Sequence, residues 1–409
     1  MQLPLRRRAW LSREGWYYLA VLAFIVGGAV LRNVNLLVVL AGMMLAPLVL
    51  NWRMVMASLR GLTVRRKLPS HAAAGQPFTV EVALTNHRSS FSSWLLRVSD
   101  RVVLDAEISS PRDRFSLRSP RTWKRLFQDP SVITPEAIVQ QALAGVATTA
   151  SYRLTVHRRG RYRFGPLVVS TRYPLGLVRG HVQYPDMAEL VVIPRIGRLT
   201  DRWTELTEAD QLGDERRHPQ RGFAEGDYYG LRPWQTGDSQ RWIHWRTTAK
   251  LNTPTVRQFE RQRSHDLAIL LDPWLPEGAQ EDDFGRLELA ISLTATALAD
   301  VGKRGGTLAF AIAGSPPQLW QGPASPLFAE EILLALASVS GSSTADWLAT
   351  FDSLAPLLVG DPALVISPRS QSAWQAELRK SSTHASIADT ELKWVDVSVS
   401  DICELYELE

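Results

Sequence analysis

The feature that most restricts this chain is a pair of uncharged apolar runs near its start, Trp16–Leu31 and Asn35–Trp52, separated only by Arg32, Asn33 and Val34. As helices they extend about 24 and about 27 Å, close to the roughly 30 Å hydrocarbon core of a bilayer. A gap of three residues leaves room only for a tight turn, so the helices run antiparallel. Gly27, Gly28, Ala41 and Gly42 lie toward that turn, where small residues allow close packing. Arg6, Arg7, Arg8 and Arg13 precede the first run, Arg53, Arg60, Arg65, Arg66 and Lys67 follow the second, and the turn holds Arg32. Basic residues gather on the cytoplasmic side of a membrane, so this bias puts both ends there. Trp16, Tyr17, Tyr18 and Trp52 form the interfacial belt. The alternative, a cleaved signal peptide ending near Ala29, leaves the following segment on the same side. Residues 1–61 are thus expected to be a two-helix anchor (helices about 16–31 and 35–52), with the lipid bilayer as the first partner.

The length of 409 residues allows two or three domains. The net charge of +5 conceals an asymmetry: residues 1–70 carry 10 Lys/Arg against 1 acid, 71–260 carry 27 against 19, and 261–409 carry 9 against 21. The basic middle interleaves its cations with acids and holds no nucleic-acid recognition motif, so no nucleic-acid partner is expected. The single cysteine, Cys403, excludes an internal disulfide, a Cys-x-x-Cys pair and a cysteine zinc cluster.

From Leu62 the periodicity changes to two. Phe78–Asn86 alternates after the turn signal Gly75-Gln76-Pro77, Tyr152–Val156 alternates again, and Arg161–Phe164, Leu167–Ser170 and Leu190–Ile193 are short runs punctuated by Gly and Pro. This pattern predicts an antiparallel, Ig-like β-sandwich over 62–196. The stretch 109–149 fits poorly and is expected to be an insertion, with a short helix at Pro135–Val146. Tyr184-Pro185 and Thr200–Gln220 are expected as linker.

Residues 197–261 carry the densest motif, running from Glu225 to Lys250 and on to Glu260. Gly237-Asp238 is a turn before a helix-compatible run, which makes Asp238 an N-cap. On that helix Arg241 and Trp245 are four apart and share a face, and Asp238 reaches Arg241. Arg232, Gly237, Asp238, Arg241, His244, Trp245, Lys250 and Arg257 are the candidate site residues. Three readings stand side by side. One is a structural clamp, in which Arg232, Asp238 and Arg241 form a buried ion-pair network. Another is a partner-docking or ligand site. The third is an acid–base site using His244 and Asp238, although no nucleophile or second base stands beside them.

The last part, 262–409, alternates strand and helix: Asp266–Asp272, Leu308–Ile312, Ala363–Ser367 and Leu392–Val397 as strands, with helices from Phe284 to Val301, over Leu327–Val339 and over Gln371–Lys380. That alternation predicts an α/β doubly wound parallel sheet, in which ligands bind beyond the carboxyl ends of strands, where Asp272 and Ser367 stand. No phosphate loop, serine elbow or His-Glu-x-x-His is present.

Leu231-Arg-Pro-Trp, Gly237-Asp, Arg241-Trp-Ile-His-Trp, Ala249-Lys, Val256-Arg and Phe259-Glu, followed by a strand ending in Asp272, resemble the bacterial domain of unknown function 58 family. Arg159-Gly-Arg-Tyr, Gly165-Pro and Tyr173-Pro-Leu-Gly-Leu also match, with Tyr173 where that family usually has Asp. The resemblance implies a membrane-anchored protein with a β-domain and a von Willebrand factor A-like C-terminal domain, associated with MoxR-type AAA+ ATPases and sometimes with transglutaminase-like membrane proteins. A metal-binding von Willebrand A domain has Asp-x-Ser-x-Ser after its first strand, whereas this chain has Asp272-Pro-Trp-Leu-Pro276. Trp274 and Pro276 offer no side-chain oxygen to a hard cation, so no metal and no cofactor is expected, and Asp272 is a ligand only if the degenerate site works. The expected function is a non-enzymatic adaptor at the bacterial inner membrane, multi-pass with its soluble domains cytoplasmic, working with a MoxR-type ATPase in assembly or maturation of an envelope complex. The rivals are an enzyme acting on an envelope or peptide substrate, with His244, Asp238 and Asp272 in its site, and a metal-dependent ligand binder.

Overall fold

The computed structural model describes residues 7–32, 34–105, 133–205, 228–235, 240–259, 267–314, 316–343, 347–354, 363–370, 372–373, 392–397 and 405–407. They divide into two compact units, Met1–Arg195 with Leu334–Ser338, and Ile196–Leu333 with Val339–Glu409.

The first unit opens with strand β1 (Arg7–Leu11), then helices α1 (Arg13–Arg32) and α2 (Asn35–Ser58). Both helices are long and apolar enough to cross a membrane. Pro47 removes one donor from the ladder of α2, and Tyr18 Oη of α1 donates to Met44 O of α2 at 2.8 Å. The strands that follow are β2 (Leu62–Lys67), β3 (His71–Ala73), β4 (Pro77–Asn86), β5 (Ser93–Ser99), β6 (Val102–Leu104), β7 (Glu136–Ala142), β8 (Ala147–Thr155), β9 (Gly160–Phe164), β10 (Leu167–Thr171), β11 (Val178–Tyr184) and β12 (Ala188–Ile193). They form sheets of order β1-β11-β10-β5-β7, β3-β12-β9-β6 and β2-β4-β8. The pairing is antiparallel except that β3 joins β12 in parallel. Period-two alternation sends Val80, Val82 and Leu84 of β4 inward, where they meet Leu96, Val98, Phe164, Val169 and Val182 in one core.

Several expectations change here. The stretch 109–149 supplies strand: β7 replaces the short helix expected at Pro135–Val146, and β8 begins at Ala147. Ala137 and Val139 are buried while Ile138 is exposed, a period of two that fits the pairing of β7 on β5. Tyr184 is not linker: it ends β11, and its hydroxyl donates to Leu62 O at 2.9 Å. Arg66, counted among the cations flanking the hairpin, is internal, with its side chain 1% exposed. Arg7–Leu11, read as flank, is a strand on β11.

The hairpin joins the β-sheets without slack. Ser12 Oγ donates to Leu177 O at 3.0 Å and accepts from Gly15 N at 2.9 Å, capping α1. A side chain at Gly15 would place its first carbon 2.0 Å from Leu177 O. The buried Asn51 of α2 accepts from Val178 N at 3.0 Å, and Val55 and Leu59 pass over Gly180, where a Cβ would come within 2.4 Å of Val55. Arg88 Nη1 donates to Ala57 O at 2.6 Å and Ser93 Oγ donates to Ser58 O at 2.7 Å, so the last carbonyls of α2 end on the β4–β5 loop and β5. These contacts are why α2 runs to Ser58 and not only to Trp52.

In the second unit β13 (Arg198–Leu199) pairs with β21 (Tyr406–Glu407). β14 (Tyr228–Pro233), helix α3 (Trp245–Leu251) and β15 (Thr255–Phe259) carry the motif. A five-stranded sheet follows from β16 (Leu267–Leu271), α4 (Glu281–Arg304), β17 (Thr307–Ile312), β18 (Gln318–Pro323), α5 (Pro326–Leu336), α6 (Trp347–Leu354), β19 (Ala363–Ser367) and β20 (Leu392–Asp396). Its order is β18-β17-β16-β19-β20, parallel except for β18, an antiparallel edge strand that the alternation did not reveal. Phe351 and Leu354 of α6 pack with Ala268, Leu270, Ala309, Ala311 and Val365 on one face, and α4 lies against β16 and β19. The continuous burial of Ala268–Leu271 and Ala363–Ile366 is that of strands covered on both faces. The helix expected at Gln371–Lys380 lies outside the described residues except for 372–373.

Candidate functional site

The motif folds back on itself. Leu231 pairs with Arg257, Arg232 with Val256 and Pro233 with Thr255 across β14 and β15, with a bulge between Tyr228 and Gly230. Trp234 N donates to Pro254 O at 2.8 Å. Gln240–Trp242 is a turn of 3₁₀ helix, and Ile243 bridges to Val256. α3 starts only at Trp245, so Arg241 and Trp245 do not share a helix face as expected, and His244 is its N-cap. His244 Nδ1 accepts from Thr247 N at 3.3 Å and lies 2.7 Å from Thr247 Oγ1, while His244 N donates to Thr255 O at 2.8 Å. Because Nδ1 accepts from a backbone N–H, the neutral ring carries its proton on Nε2. The imidazole thus caps the start of α3, while the His244 backbone N–H holds that start on β15. Thr248 Oγ1 accepts from Thr255 N at 3.1 Å and ties the next turn to the same strand. Arg232 Nη1 donates to Pro233 O at 3.2 Å. Arg241, Trp245, Lys250 and Arg257 are exposed, Trp245 by 68%. Gly237 and Asp238, and with them the expected Asp238–Arg241 pair, lie outside the described residues.

At the carboxyl ends of β16 and β19 a different centre forms. Asp272 is fully buried, and its backbone N donates to Ile366 O at 3.0 Å. Ser367 Oγ donates to Asp272 Oδ2 at 2.8 Å, and Arg369 Nε lies 3.0 Å from the same oxygen. Ser367 Oγ also accepts from Arg369 N at 3.0 Å, which holds the arginine in the turn. The guanidinium stacks over Trp274, 5.0 Å from the ring centroid. The loop bearing Trp274 is pinned by Ser342, whose N donates to Pro273 O at 3.0 Å and whose O accepts from Leu275 N at 3.2 Å. Sequence reasoning named Asp272 and Ser367 but missed Arg369. The signal was an aspartate closing the apolar run Leu267–Leu271 and an arginine two residues beyond Ser367.

This arrangement does not fit the divalent cation of a metal-binding von Willebrand A domain. The carboxylate that would bind the ion already faces a guanidinium, and the positions of two further ligands are Trp274 and Pro276. Among the described residues no three His, Cys, Asp or Glu gather to hold a metal.

A second buried pair, absent from the sequence reading, stands in the first unit. Arg66 Nε and Nη2 donate to the two oxygens of Asp100 at 2.7 Å each, Tyr152 Oη donates at 2.6 Å and Arg101 N at 2.8 Å. Burial pushes the Asp100 carboxyl up, while Arg66, Tyr152 and the Arg101 N–H oppose that push. Burial and the neighbouring Asp100 charge push the Tyr152 phenol far up. Arg66 Nη1 and Nη2 also donate to Asp186 O at 3.5 Å each, so the cluster ties β2, the β5–β6 turn, β8 and the β11–β12 turn together as an internal structural network.

The uncharacterized protein YeaD of Bacillus subtilis (strain 168) is 25% identical over 173 residues, 42% of this chain, and the match spans 41% of that relative's own length. Among solved structures, a superoxide reductase (neelaredoxin) from Ignicoccus hospitalis aligns over 32% of this chain and 79% of its own at 13% identity and a TM-score of 0.19. The CARDB domain of the PF1109 protein from Pyrococcus furiosus aligns over 32% and 87% at 13% identity and a TM-score of 0.18. Likenesses this slight leave fold and function to the chain's own residues. Residues 230–322, which run from β14 through the motif and Asp272 to β18, match the family described as protein of unknown function DUF58.

Proposed function

We propose that this chain is a membrane-tethered scaffold, not an enzyme, whose soluble parts stand on the cytoplasmic side of a bacterial inner membrane. Its hairpin is the anchor. Its C-terminal sheet is a von Willebrand A-like domain that binds protein without a metal, and the partner is a MoxR-type AAA+ ATPase acting in assembly or maturation of an envelope complex. A transglutaminase-like membrane protein is the second candidate partner. The observation that carries this reading is the hairpin's junction: Ser12, Gly15, Asn51 and Arg88 fasten both helices directly to the β-sheets, as suits a rigid mount. The charge bias around the hairpin supports the orientation. The internal Arg369 supports metal-free binding, and the motif resemblance supports the choice of partner. The test has two arms. A reporter fused after Glu409 reads cytoplasm if the orientation holds, and proteolysis of the C-terminal unit from outside intact cells overturns it. The full chain in detergent retains a purified MoxR-type ATPase from the same genome; no retention with or without ATP overturns the partner.

A further inference from the structure

The end of the β-sheets where the hairpin enters has a composition of its own. β1, β4, β7 and β10 finish there, and β2, β5, β8 and β11 begin there, as their antiparallel registers require. The connecting segments 87–95, 142–147 and 171–177 expose Phe91, Trp94, Leu95, Leu143, Val146 and Leu175, each by 38–55%. Large exposed apolar side chains on neighbouring loops mark an interaction surface. These loops lie at the base of the helices: Leu177 O receives Ser12 of α1, Val178 N donates to Asn51 of α2, and Arg88 caps the end of α2. Trp94 stacks on Tyr173 at 6.3 Å and the Arg88 guanidinium lies 4.9 Å from the Phe91 ring centroid, so the aromatics are held in place. Segments 11–16, 52–62, 87–95, 142–147 and 171–177 together hold Arg13, Arg53, Arg60, Arg88 and Arg172 against one acid, Glu14.

We infer that this loop end is a membrane-seated rim: the three loops sit in the headgroup layer of the same bilayer that holds the hairpin. Three features favour lipid over a protein partner. The apolar loops are continuous with the hairpin base. Their aromatics and arginines are the residue types that settle at a membrane–water interface. Their charge complements the anionic cytoplasmic leaflet. The rim adds sites of contact around the two helices and fixes the tilt of the β-sheets against the membrane plane. The inference rests on the anchor reading, and its test separates the two. In a Cys403→Ser background, single cysteines replace Leu143, Leu175, Phe24 of α1 and Gln76, an exposed residue at the far end of β4. Each variant of the full chain is labelled with an environment-sensitive fluorophore in phosphatidylcholine–phosphatidylglycerol nanodiscs containing headgroup or mid-chain spin-labelled lipid. Headgroup spin labels quench the Leu143 and Leu175 sites, mid-chain labels quench Phe24, and neither quenches Gln76. Labels at Leu143 and Leu175 that behave like Gln76 while Phe24 is quenched overturn the rim and leave the anchor standing. An unquenched Phe24 overturns the anchor, and the rim with it.

Discussion

Arg369 Nε lies 3.0 Å from Asp272 Oδ2, so the buried carboxylate at the end of β16 is answered by a cation from its own chain. Ser367 orients both partners, donating to the carboxylate and accepting from the arginine backbone. Trp274 closes the site as a ring under the guanidinium. Trp274, which offers a cation no side-chain oxygen, is therefore part of the same internal arrangement: it is the ring on which the arginine stacks.

Removing one member should leave the other charge stranded. Arg369→Met is expected to destabilise the chain by about 3–5 kcal/mol, since Asp272 has no access to water. Asp272→Asn combined with Arg369→Met should lie closer to the native protein than Arg369→Met alone. Chemical denaturation of the three proteins, followed by tryptophan fluorescence, checks this. An Arg369→Met variant as stable as the parent would show that the pair holds nothing.

Added Mg²⁺ or Mn²⁺ should leave the melting temperature of the full chain unchanged. A cation bound at 100 times its dissociation constant would stabilise by about 2.7 kcal/mol, well within reach of a thermal melt. A clear upward shift would mean that the metal displaces Arg369 and would restore the metal-dependent reading.

The junction of hairpin and sheet predicts a cost for small changes far from any surface. Gly15→Ala sets a methyl group 2.0 Å from Leu177 O, which must force α1 and the 171–177 loop apart, at about 1–3 kcal/mol. Asn51→Leu deprives the Val178 N–H of its acceptor in a buried site and should cost about 1–3 kcal/mol. Val49→Ala, on an outward position of the same helix, is the near-neutral control. Urea unfolding in detergent micelles separates them, and equal stability of all three would dissolve the rigid junction.

How much was legible follows from the range of each interaction. The hairpin was plain because hydropathy is local, and the alternation of Phe78–Asn86 marked β4 for the same reason. β1 was invisible: Arg7–Leu11 reads as a basic flank, and only β11, far along the chain, makes it a strand. Glu136–Ala142 is rich in helix formers, and its pairing with β5 overrides that preference. Arg66 reads as a flanking cation and Arg369 carries no signal of its own, because their partners, Asp100 and Asp272, are distant in sequence. In the motif the helix-compatible run after Gly237-Asp238 points to a cap at Asp238, since asparagine, aspartate and serine are the customary choices there, whereas α3 starts only at Trp245 with His244 as its cap.

His181 predicts the response to acid. Burial, Arg179 and Arg8 hold its imidazole below the usual value near 6.5, and Trp10 packs 5.9 Å from its ring. In the unfolded chain the ring takes its proton at about 6.5, while in the folded chain it resists. Its contribution to stability is therefore present above that value and lost as pH falls through it toward the lower folded value. His181→Gln should flatten the fall in stability just below pH 6.5 relative to the native chain. Parallel denaturation curves at several pH values decide it, and superimposable profiles would reject the assignment.

The last prediction separates a structural motif from a docking one at His244. As an N-cap, the ring supplies one acceptor to Thr247 N, and its loss in His244→Ala should cost about 1 kcal/mol. Asparagine is a preferred cap with its own side-chain oxygen, so His244→Asn should recover most of that stability. If the imidazole serves only to cap α3, His244→Asn also keeps whatever partner binding the native chain has. If instead the imidazole face is read by a partner, both variants lose binding although only the alanine variant loses stability. Trp245, exposed beside the cap, provides the complementary case: Trp245→Ala should leave folding nearly unchanged, because its side chain buries little, and should weaken binding if the partner lies on this surface. Melting curves of the three variants beside retention of the purified ATPase give four distinguishable results. Full binding by both His244→Asn and Trp245→Ala would assign the motif to structure alone.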